Sequence, residues 1–214
     1  MPEPDPSPTP VTGLRERKKL RTRAAIQKEA LRLFLEKGFQ ATTIDEIAAA
    51  VEISPSTFFN YFPSKEDVVL QDDLDPVIFA AFNAQPAELG PIGALRHAMI
   101  EVFSNLTPDQ RSLMRDRAVL LASEPELRAA FLNQFMSIVD QLAELIARRV
   151  GRPRSFAMRN LSGALLGVMM AALLAAGENP EADLVHLTDQ AMSHLEAGLP
   201  LEWEMAGPDA GMGQ

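Results

Sequence analysis

The chain has 214 residues, 47% of them hydrophobic and 23% charged, which is enough for a small domain followed by a larger one. It contains no cysteine, which excludes disulfide frameworks and thiolate metal sites and fits a reducing cytoplasm. The net charge of −9 argues against a general affinity for nucleic acid, yet the charge is unevenly spread. Residues 14–37 hold nine basic and three acidic side chains. This block is suited to contacting phosphates, although a solvated, salt-bridged helix face is the alternative.

The first part of the chain predicts a tail and one long helix. Residues 1–13 are rich in proline and lack both helical periodicity and the apolar run of a signal peptide, so we expect a disordered tail. Helix one is predicted from Leu14 to Lys37, and Gly38 is typical of the position just past a helix end. Its apolar face is formed by residues spaced by three and four, namely Ile26, Ala30, Leu33 and Phe34.

Residues 42–67 predict two short helices joined by a tight turn, with a further helix directly after them. Thr43 is placed to cap helix two while Glu46, three residues on, bonds back to it in a capping box. The turn is predicted at residues 51–53. The buried face of helix two is expected to comprise Ile44, Ile47, Ala48 and Val51.

The two helices after the turn also begin at recognisable caps. Helix three is predicted from Pro55 to about Tyr61, with Ser54 as its N-cap and proline at the first helical position, where no N–H is missed. Helix four is capped by Ser64 and is expected to continue toward Ala84.

The remainder of the chain predicts five more helices and no strand, so the fold class is all-α. Their predicted ranges, bounded by proline starts and glycine ends, are 91–105, 108–122, 125–149, 154–176 and 182–197. We predict a disordered tail, a helix-turn-helix domain, a larger helical domain for ligand binding and dimerisation, and a flexible tail; their ranges are 1–13, 14–67, 68–199 and 200–214.

Helix three has the composition of a helix that reads DNA. Such a helix presents short polar side chains near its N-terminus, where they reach base edges in the major groove, and Pro55, Ser56 and Thr57 lie there. Helix N-termini and nearby hydroxyls also bind phosphate. Further DNA-contacting candidates at helix starts or one turn along are Thr43, Ser54, Asn60, Tyr61 and Lys65. Phe58 and Phe62 lie four residues apart and are expected to pack the small domain instead.

The segment IAAAVEISPSTFFNYFPSKEDV, residues 47–68, resembles the N-terminal signature of TetR-family transcriptional regulators, and residues 30–48 resemble the helix that precedes it. The resemblance covers about residues 15–70. It implies a three-helix DNA-binding domain, a variable helical ligand-binding domain, and a homodimer on an inverted-repeat operator of double-stranded DNA. It places Ser56 and Thr57, with Pro55, at bases. It places at phosphates Thr43, Ser54, Tyr61 and Lys65.

The chain departs from the family pattern at a few positions. The family usually has Ala-Gly where this chain has Val51 and Glu52, and a glutamate that needs positive φ costs about 1–2 kcal/mol. Phe59 stands where the family often has tyrosine, which removes a hydroxyl that would reach phosphate, and Ser56 replaces a frequent glycine. These departures change the expected contacts and leave the fold expectation intact.

The C-terminal part, through residues 115–151 and 162–177, resembles one TetR subgroup whose C-terminal domain binds acyl-CoA-like ligands. An apolar cavity is predicted there. Its candidate lining is Phe79, Phe82, Phe103, Met114, Phe131 and Phe135. For any one of these residues taken alone, a place in the ordinary core is the stronger explanation. Cations for the phosphates of an acyl-CoA are available, although surface salt bridges explain them equally well; they are Arg96, Arg111, Arg115 and Arg117.

Residues 161–177 form an almost uninterrupted apolar helix with small residues four apart. The run is shorter than the roughly 20 residues of a membrane span, so we predict a helix covered by a second subunit and no membrane partner. Together with the last helix it predicts a four-helix dimer seam. The candidate interface residues are Gly163, Gly167, Ala171, Leu184, Leu187, Ala191 and Leu195.

No constellation typical of catalysis, metal binding or cofactor binding is found, so we expect a non-enzyme without cofactor or metal. His186 and His194 lie about two turns apart, and ordinary surface histidines explain them better than a metal pair. The leading hypothesis is a repressor released from its operator by a small apolar or acyl-CoA-like effector. The alternative is a helical lipid-binding module or enzyme whose N-terminal unit binds a protein.

Overall fold

The computed structural model describes residues 13–71, 74–179 and 181–200, and within these ranges the chain forms ten α-helices and no strand. The helices are α1 Leu14–Lys37, α2 Ile44–Ala50, α3 Pro55–Phe59, α4 Lys65–Leu70, α5 Asp75–Ala84, α6 Pro91–Ser104, α7 Pro108–Ser123, α8 Pro125–Val150, α9 Phe156–Glu178 and α10 Leu184–Glu196. The all-α prediction is confirmed. The predicted tails at 1–13 and 200–214 lie almost entirely outside the described residues.

Helices α1 to α4 form a small unit around one aromatic core. Phe34 and Phe39 meet edge to face with ring centroids 4.9 Å apart, and Phe58 and Phe62 are fully buried beside them. The aliphatic part of this core comes mainly from α1, α2 and α4, through Ile26, Leu31, Ile47, Val68 and Val69. The apolar spacing that predicted helix one therefore did identify its buried face.

The predicted fourth helix is wrong in one respect, because it consists of two helices. α4 ends at Leu70 and α5 begins at Asp75, with Pro76 in its first turn. Proline lacks the N–H that a helix interior needs, and its ring clashes with the carbonyl four residues earlier. Pro76 is therefore tolerated where a helix begins, and the chain starts a new helix there.

Helices α5 to α10 form the larger unit around a second core. Its buried residues come from α5, α6, α8, α9 and α10, and include Phe82, Leu95, Met99, Ile146, Leu165 and Met192. Across this unit, α9 crosses α7 at Gly177, where a methyl group would overlap the backbone carbonyl of Ala118. The crossing thus requires a residue without a side chain.

The two units share a packed junction. Leu120 and Leu121 of α7 and Leu127 of α8 belong to the same core cluster as α1 and α4. The domain boundary predicted after residue 67 falls within α4, whose last residues complete the core of the first unit. The two units therefore touch through α1, which packs on α7, and through α4, which packs on α7 and α8.

By length and composition alone, helix α9 is long and apolar enough to cross a membrane. Its most apolar 18-residue stretch has a mean hydropathy of 1.7, and 28% of that stretch is buried within the protein. Beyond Arg159 its exposed residues are Asn160, Gly167, Ala171 and Glu178, spaced by seven, four and seven, and the half-buried Gly163 and Leu174 lie between them on the same face. The opposite side packs into the larger unit through Leu165, Ala172 and Ala176. One side of this helix is therefore core and the other is an uncovered surface of small residues.

Candidate nucleic-acid interface and effector cavity

The N-terminal end of α3 presents a cluster of three hydroxyl groups. Ser54 caps the helix by accepting from the backbone N–H of Thr57 at 3.1 Å. Its Oγ also lies 2.9 Å from Oγ of Ser56 and 2.8 Å from Oγ1 of Thr57. Ser54, Pro55 and Ser56 are exposed and Thr57 is half-buried, so the cluster faces outward at the position predicted to read bases.

The other face of the same short helix is anchored in the core. Phe58 and Phe62 are both fully buried, as predicted from their spacing, while Phe59 is 51% exposed beside the ring of Phe58. The guanidinium of Arg23 lies 4.2 Å from the centroid of Phe62 and donates to the carbonyl of Tyr61 at 3.0 Å. A helix of five residues has almost no stability of its own, so these contacts determine its position.

Thr43 caps α2 in the predicted capping box. Its Oγ1 accepts from the N–H of Glu46 at 3.2 Å, and the Glu46 carboxylate accepts from the N–H of Thr43 at 2.9 Å. The ammonium of Lys37 lies 2.7 Å from the same carboxylate. This hydrogen bond from Lys37, followed by that from the Thr43 backbone, lowers the pKa of Glu46 to about 2. The exposed hydroxyl of Thr43 is thus held at the N-terminus of α2, in reach of an external phosphate.

Lys65 has an internal role that its sequence position did not reveal. Its Nζ donates to the carbonyl of Phe39 at 2.7 Å and to that of Thr42 at 3.3 Å, and it lies 4.2 Å from the centroid of the Phe39 ring. An ammonium has three donors, of which these carbonyls take two. The phosphate contact proposed for Lys65 therefore has to coexist with its closure of the loop between α1 and α2.

The turn between α2 and α3 adopts the strained conformation considered above. Glu52 has φ of +56°, the left-handed region that favours glycine. The N–H of Ile53 donates to the carbonyl of Ala48 at 2.9 Å and that of Glu52 to Ala49 at 3.2 Å. This pattern is a Schellman motif, which requires left-handed backbone at its penultimate residue. Glu52 thus adopts a backbone conformation that is unfavourable for a residue with a side chain, and the turn keeps the geometry of a Schellman motif.

The remaining predicted DNA contacts, Asn60 and Tyr61, lie at the end of α3, the first exposed and the second half-buried. The basic first turns of α1 are exposed from Leu14 to Arg21 and contribute nothing to the core. These turns and the hydroxyl cluster are thus both exposed polar parts of the small unit.

The larger unit encloses a cavity of about 450 Å³. Four of the six predicted residues line it, namely Phe79, Phe103, Met114 and Phe131. Most of the other wall is aliphatic or methionine, including Leu95, Met99, Leu142, Leu166, Met169, Met170 and Leu173. A cavity of this size and lining suits a small, largely apolar molecule.

Phe82 and Phe135 do not line the cavity, and their prediction as lining residues is corrected. Phe82 shares the inward face of α5 with Ile78 and is fully buried, with the guanidinium of Arg149 5.0 Å from its ring centroid. Phe135 lies one turn beyond Phe131 on α8 and contacts that ring edge to face at 6.4 Å. Helical spacing placed both side chains on an apolar face of their helix, but which neighbouring helix that face packs against depends on the tertiary structure.

One end of the cavity is polar and is built partly from the small unit. Arg23 of α1 and Gln71, which follows α4, lie in its wall beside Arg117 of α7 and Gln134 of α8. Arg117 is 8% exposed, and its Nε donates to the carbonyl of Val69 at 2.7 Å. Arg23 donates to Oε1 of Gln71 at 3.2 Å. No motif in the sequence signalled this polar end, because its members come from four distant segments.

The four arginines suggested for ligand phosphates are dispersed in the structure. Arg96 pairs with Asp189 at 2.7 Å and Glu196 at 3.0 Å, which joins α6 to α10 and lowers the pKa of Asp189. Arg111 donates to the carbonyls of Leu106 and Ser104, and Arg115 is exposed outside the cavity wall. Only Arg117 of this group lines the cavity.

The predicted dimer residues fall on two different surfaces. Gly167 and Ala171 are exposed on the outer stripe of α9, and a methyl group built at Gly163 or Gly167 meets nothing within 4 Å. Leu187 and Ala191 of α10 are half-buried. The two remaining residues, Leu184 and Leu195, pack against the second core beside the buried Met192. Leu184 and Leu195 are half-buried like Leu187 and Ala191, so the place of all four in a dimer seam stays a prediction.

Two family profiles match the chain, one over each unit. The profile of bacterial regulatory proteins, tetR family, matches residues 26–71, and the profile of the MftR C-terminal domain matches residues 89–200. The chain is 36% identical to the HTH-type transcriptional regulator TcmR of Streptomyces glaucescens over 150 residues, which cover 65% of either protein, slightly less than two thirds. It is 30% identical to EthR of Mycolicibacterium smegmatis over 194 residues, 83% of this chain and 88% of that relative.

Solved structures give the same picture for the fold. Thermus thermophilus FadR, a transcriptional repressor determined in complex with lauroyl-CoA, is 27% identical, has a TM-score of 0.53, and covers 88% of this chain and 99% of its own. A regulator from Syntrophomonas wolfei has a TM-score of 0.61 at 20% identity, covering 86% and 98%, and is similar in fold alone.

Proposed function

The chain belongs to the TetR family of bacterial regulatory proteins, a helix-turn-helix transcriptional regulator, and from that premise we propose that it is an effector-released repressor. In the free state its dimer would hold two copies of α3 in successive major grooves of an inverted-repeat operator. A small, largely apolar or acyl-CoA-like molecule in the cavity of the larger unit would release it. The regulator would work in the cytoplasm, where its DNA is.

The observation that carries the DNA-binding half of this proposal is the two-sided character of α3. Ser54, Ser56 and Thr57 form an outward hydroxyl cluster, while Phe58 and Phe62 are fully buried on the opposite side. Hydroxyls can both donate to and accept from base edges, so the cluster can exchange its internal bonds for bonds to DNA. The exposed basic turns of α1 would add contacts to phosphate that do not depend on sequence.

The dimer is supported by the outer stripe of α9. Small side chains at Gly163, Gly167 and Ala171 allow two helices to approach closely, and the stripe has no neighbour in the described residues of one chain. Leu187 and Ala191 of α10, both half-buried, would add to this interface. A two-fold dimer through these helices would present two identical recognition helices, and half-sites one turn of DNA apart require a spacing of about 34–36 Å.

The effector is supported by the cavity and by a relative. FadR of Thermus thermophilus was determined with lauroyl-CoA, and the cavity here is lined mainly by leucine, methionine and phenylalanine. An apolar chain would fit such a wall. The cavity also touches Val69, Leu70 and Gln71 at the end of α4, so its occupant contacts one of the two helices that join the units.

Release would follow from this shared wall. A ligand shifts a conformational equilibrium only by its difference in affinity between two states. If the filled cavity favours another position of α4, it disfavours the separation of recognition helices that matches the operator. The coupling is reciprocal, so operator DNA should weaken effector binding by the same factor.

Electrophoretic mobility shift with duplexes from the region upstream of the protein's own coding sequence tests the proposal. We expect one fragment to be retained well above a random duplex of the same length, and lauroyl-CoA to reduce its retention. A double variant, Ser56→Ala with Thr57→Ala, keeps the buried anchors and should lose the preference while retaining the weak affinity for random DNA. Equal retention of all wild-type fragments at low salt would contradict the proposal.

A further inference from the structure

One buried hydroxyl in the wall of the cavity has no hydrogen-bond partner within the protein. Thr188 of α10 is 3% exposed and lines the cavity, and among the described residues its side chain bonds to nothing. The other buried polar side chains of that part of the chain all donate to backbone carbonyls; they are Gln27, Thr42, Arg117 and Ser162. A buried hydroxyl without a partner is costly, so this position calls for a bonding group that the chain does not supply.

The backbone of α10 does not satisfy this hydroxyl either. A serine or threonine inside a helix can donate to the carbonyl four residues earlier. Thr22 donates in this way to Lys18 at 3.0 Å, and Ser162 to Met158 at 2.8 Å. Thr188 lies in the second turn of α10 and, in the part of the chain that the structure describes, makes no such bond. Its partner therefore has to come from the cavity.

The hydroxyl of Thr188 is accessible from the cavity and lies in an apolar part of its wall. Among the described residues, only Nε of Arg149 is a side-chain polar atom with neither a partner nor accessible surface. Oγ1 of Thr188 therefore keeps some surface, and because the residue lies in the wall, that surface faces the cavity. α10 packs mainly on α6 and α9, and every residue that these two helices contribute to the wall is apolar.

The ligand group that fits this position is a neutral one. A charged group would lose its hydration among apolar side chains without gaining a counter-ion. The two arginines of the wall, Arg23 and Arg117, lie on α1 and α7 and are already bonded to other groups of the protein. A hydroxyl both donates and accepts, as the threonine hydroxyl does, so it can bond to Oγ1 of Thr188 in either direction.

We propose that the effector is an acyl compound whose chain carries a hydroxyl group, and that this hydroxyl bonds to Oγ1 of Thr188; the inference deepens the effector-released repressor proposed above and rests on it. The remainder of the chain lies along the leucine, methionine and phenylalanine side chains of the wall. An unsubstituted chain also fits, so lauroyl-CoA binds and releases DNA. It leaves the hydroxyl of Thr188 without a ligand partner, however, and therefore binds more weakly.

Isothermal titration calorimetry of the full-length protein tests the site with lauroyl-CoA and three hydroxylated derivatives, below their micelle concentrations. The derivatives carry the hydroxyl beside the thioester, in the middle of the chain or at its far end. We expect at least one of them to bind about five-fold more tightly than lauroyl-CoA, as one added neutral hydrogen bond allows. Thr188→Val keeps the shape of the side chain and should lose this preference without changing the affinity for lauroyl-CoA. Thr188→Ser keeps a hydroxyl and should retain the preference.

The matched control is Leu184→Val, one turn earlier on α10 and also in the cavity wall. It shortens an apolar side chain, so it should weaken all four compounds alike and keep the preference. Thermal unfolding without ligand adds a second comparison. Thr188→Val removes a hydroxyl that has no partner and should leave the melting temperature unchanged or raise it. Thr42→Val removes bonds to the carbonyls of Leu33 and Gly38 and should lower it.

Three results would overturn the proposal. Equal affinity of the wild type for all four compounds, or binding of none, would show a hydroxyl that only water satisfies. A preference that survives in Thr188→Val would place the hydroxyl of the ligand elsewhere. A melting temperature of Thr188→Val lowered as far as that of Thr42→Val would show that the hydroxyl is already bonded in the free protein.

A mobility-shift assay with the same samples distinguishes this inference from the proposed function. The preferred derivative should release the wild type from retained upstream DNA at a lower concentration than lauroyl-CoA does, and Thr188→Val should lose that difference. If all four compounds release the wild type at the same concentration, the site at Thr188 is wrong and the repressor stands. If the wild type retains no upstream fragment selectively, the repressor proposal itself fails, whatever the calorimetry shows.

Discussion

The two units of this molecule are held together by interactions of very different range. In α1 to α4, the side chains of Thr43, Ser54 and Ser64 each accept from a backbone N–H three residues on. In α5 to α10, contacts between segments far apart in sequence position the elements. Arg149 of α8 donates to the carbonyls of Phe82 and Gln85, for example, and Gly177 lets α9 lie on α7. Local signals therefore suffice for the caps and turns of the DNA-reading unit, while the position of α3 depends on its contacts with Arg23 of α1. The cavity depends entirely on contacts between distant segments.

This difference has a functional counterpart. A DNA reader has to present a few polar groups in one geometry, which short caps and turns can specify. A cavity has to leave space between helices, which requires that distant residues stop the helices from collapsing onto each other. The two requirements meet at α4, which belongs to the first core and lines the cavity of the second unit.

The largest effect is expected where α9 crosses α7. Gly177→Ala places a methyl group against the Ala118 carbonyl, so we expect a loss of about 3 kcal/mol in the free energy of unfolding despite the better helix propensity of alanine. Gly90→Ala, at the N-cap of α6 and outside the proposed dimer seam, meets nothing within 4 Å and should change it by less than about 1 kcal/mol. Urea unfolding at several protein concentrations measures both, since dimerisation adds to stability. Similar values for the two variants would contradict the close crossing.

The next largest effects are expected on the DNA-binding surface, where the loss of a phosphate contact and the loss of a base contact should have different consequences. Lys65→Ala should weaken binding to every duplex alike and lower the slope of log affinity against log salt by about 1 per site. Thr57→Ala should instead cost about 1–3 kcal/mol on the operator only, and relax base preference. Fluorescence anisotropy over a range of salt concentrations gives both quantities. If Lys65→Ala altered preference alone, the roles assigned to these residues would be exchanged.

A smaller effect is expected at the turn between α2 and α3. Glu52 holds left-handed backbone, so Glu52→Gly should raise the free energy of unfolding by roughly 1 kcal/mol. Glu52→Ala keeps the strain and should show no such gain. Thermal unfolding of the three proteins makes the comparison, and an equal gain in the alanine variant would point to charge rather than backbone strain.

The smallest effect is the acid response of the capping box. Because the pKa of Glu46 falls from 4.5 to about 2 in the folded protein, its carboxylate stabilises the fold above about pH 4.5. That contribution is lost as pH falls toward 2. Glu46→Gln should therefore flatten the decrease in melting temperature between pH 4.5 and 2, whereas Glu16→Gln in the first turn of α1 should not. If the melting temperature of Glu46→Gln decreased with pH as steeply as that of the wild type, the hydrogen bonds from Lys37 and Thr43 to Glu46 would not account for the acid response.

How far the sequence predicted the structure follows the same division. α1 runs from Leu14 to Lys37 as predicted, and the caps at Thr43, Ser54 and Ser64 are all present. The five later helices begin and end within about two residues of prediction, because proline and glycine act on their own neighbourhood. The break before Asp75 was missed, although Pro76 is the local signal that could have revealed it.

In the candidate site, too, the features that depend on local sequence were predicted and those that depend on distant contacts were not. The positions of the α3 hydroxyls followed from cap chemistry, while the internal bonds of Lys65 to Phe39 and Thr42 did not. Of the cavity candidates, Phe82 and Phe135 pointed elsewhere, since spacing identifies an apolar face but not the helix that it meets. The sequence alone did not distinguish Arg117 from the other three candidate arginines. Its place in the cavity wall depends on the packing of α7 against α4.

The sequence by itself determined most helix boundaries, the caps, the turn at Glu52 and the hydroxyl groups at the start of α3, because each depends on residues within about one helical turn. Only the tertiary structure decided which apolar side chains line the cavity, that Arg23, Gln71, Arg117 and Gln134 share one end of it, and that α1 and α4 connect it to the DNA-reading unit. Those features depend on the packing of helices distant in the chain, and periodicity within one helix carries no information about its partner.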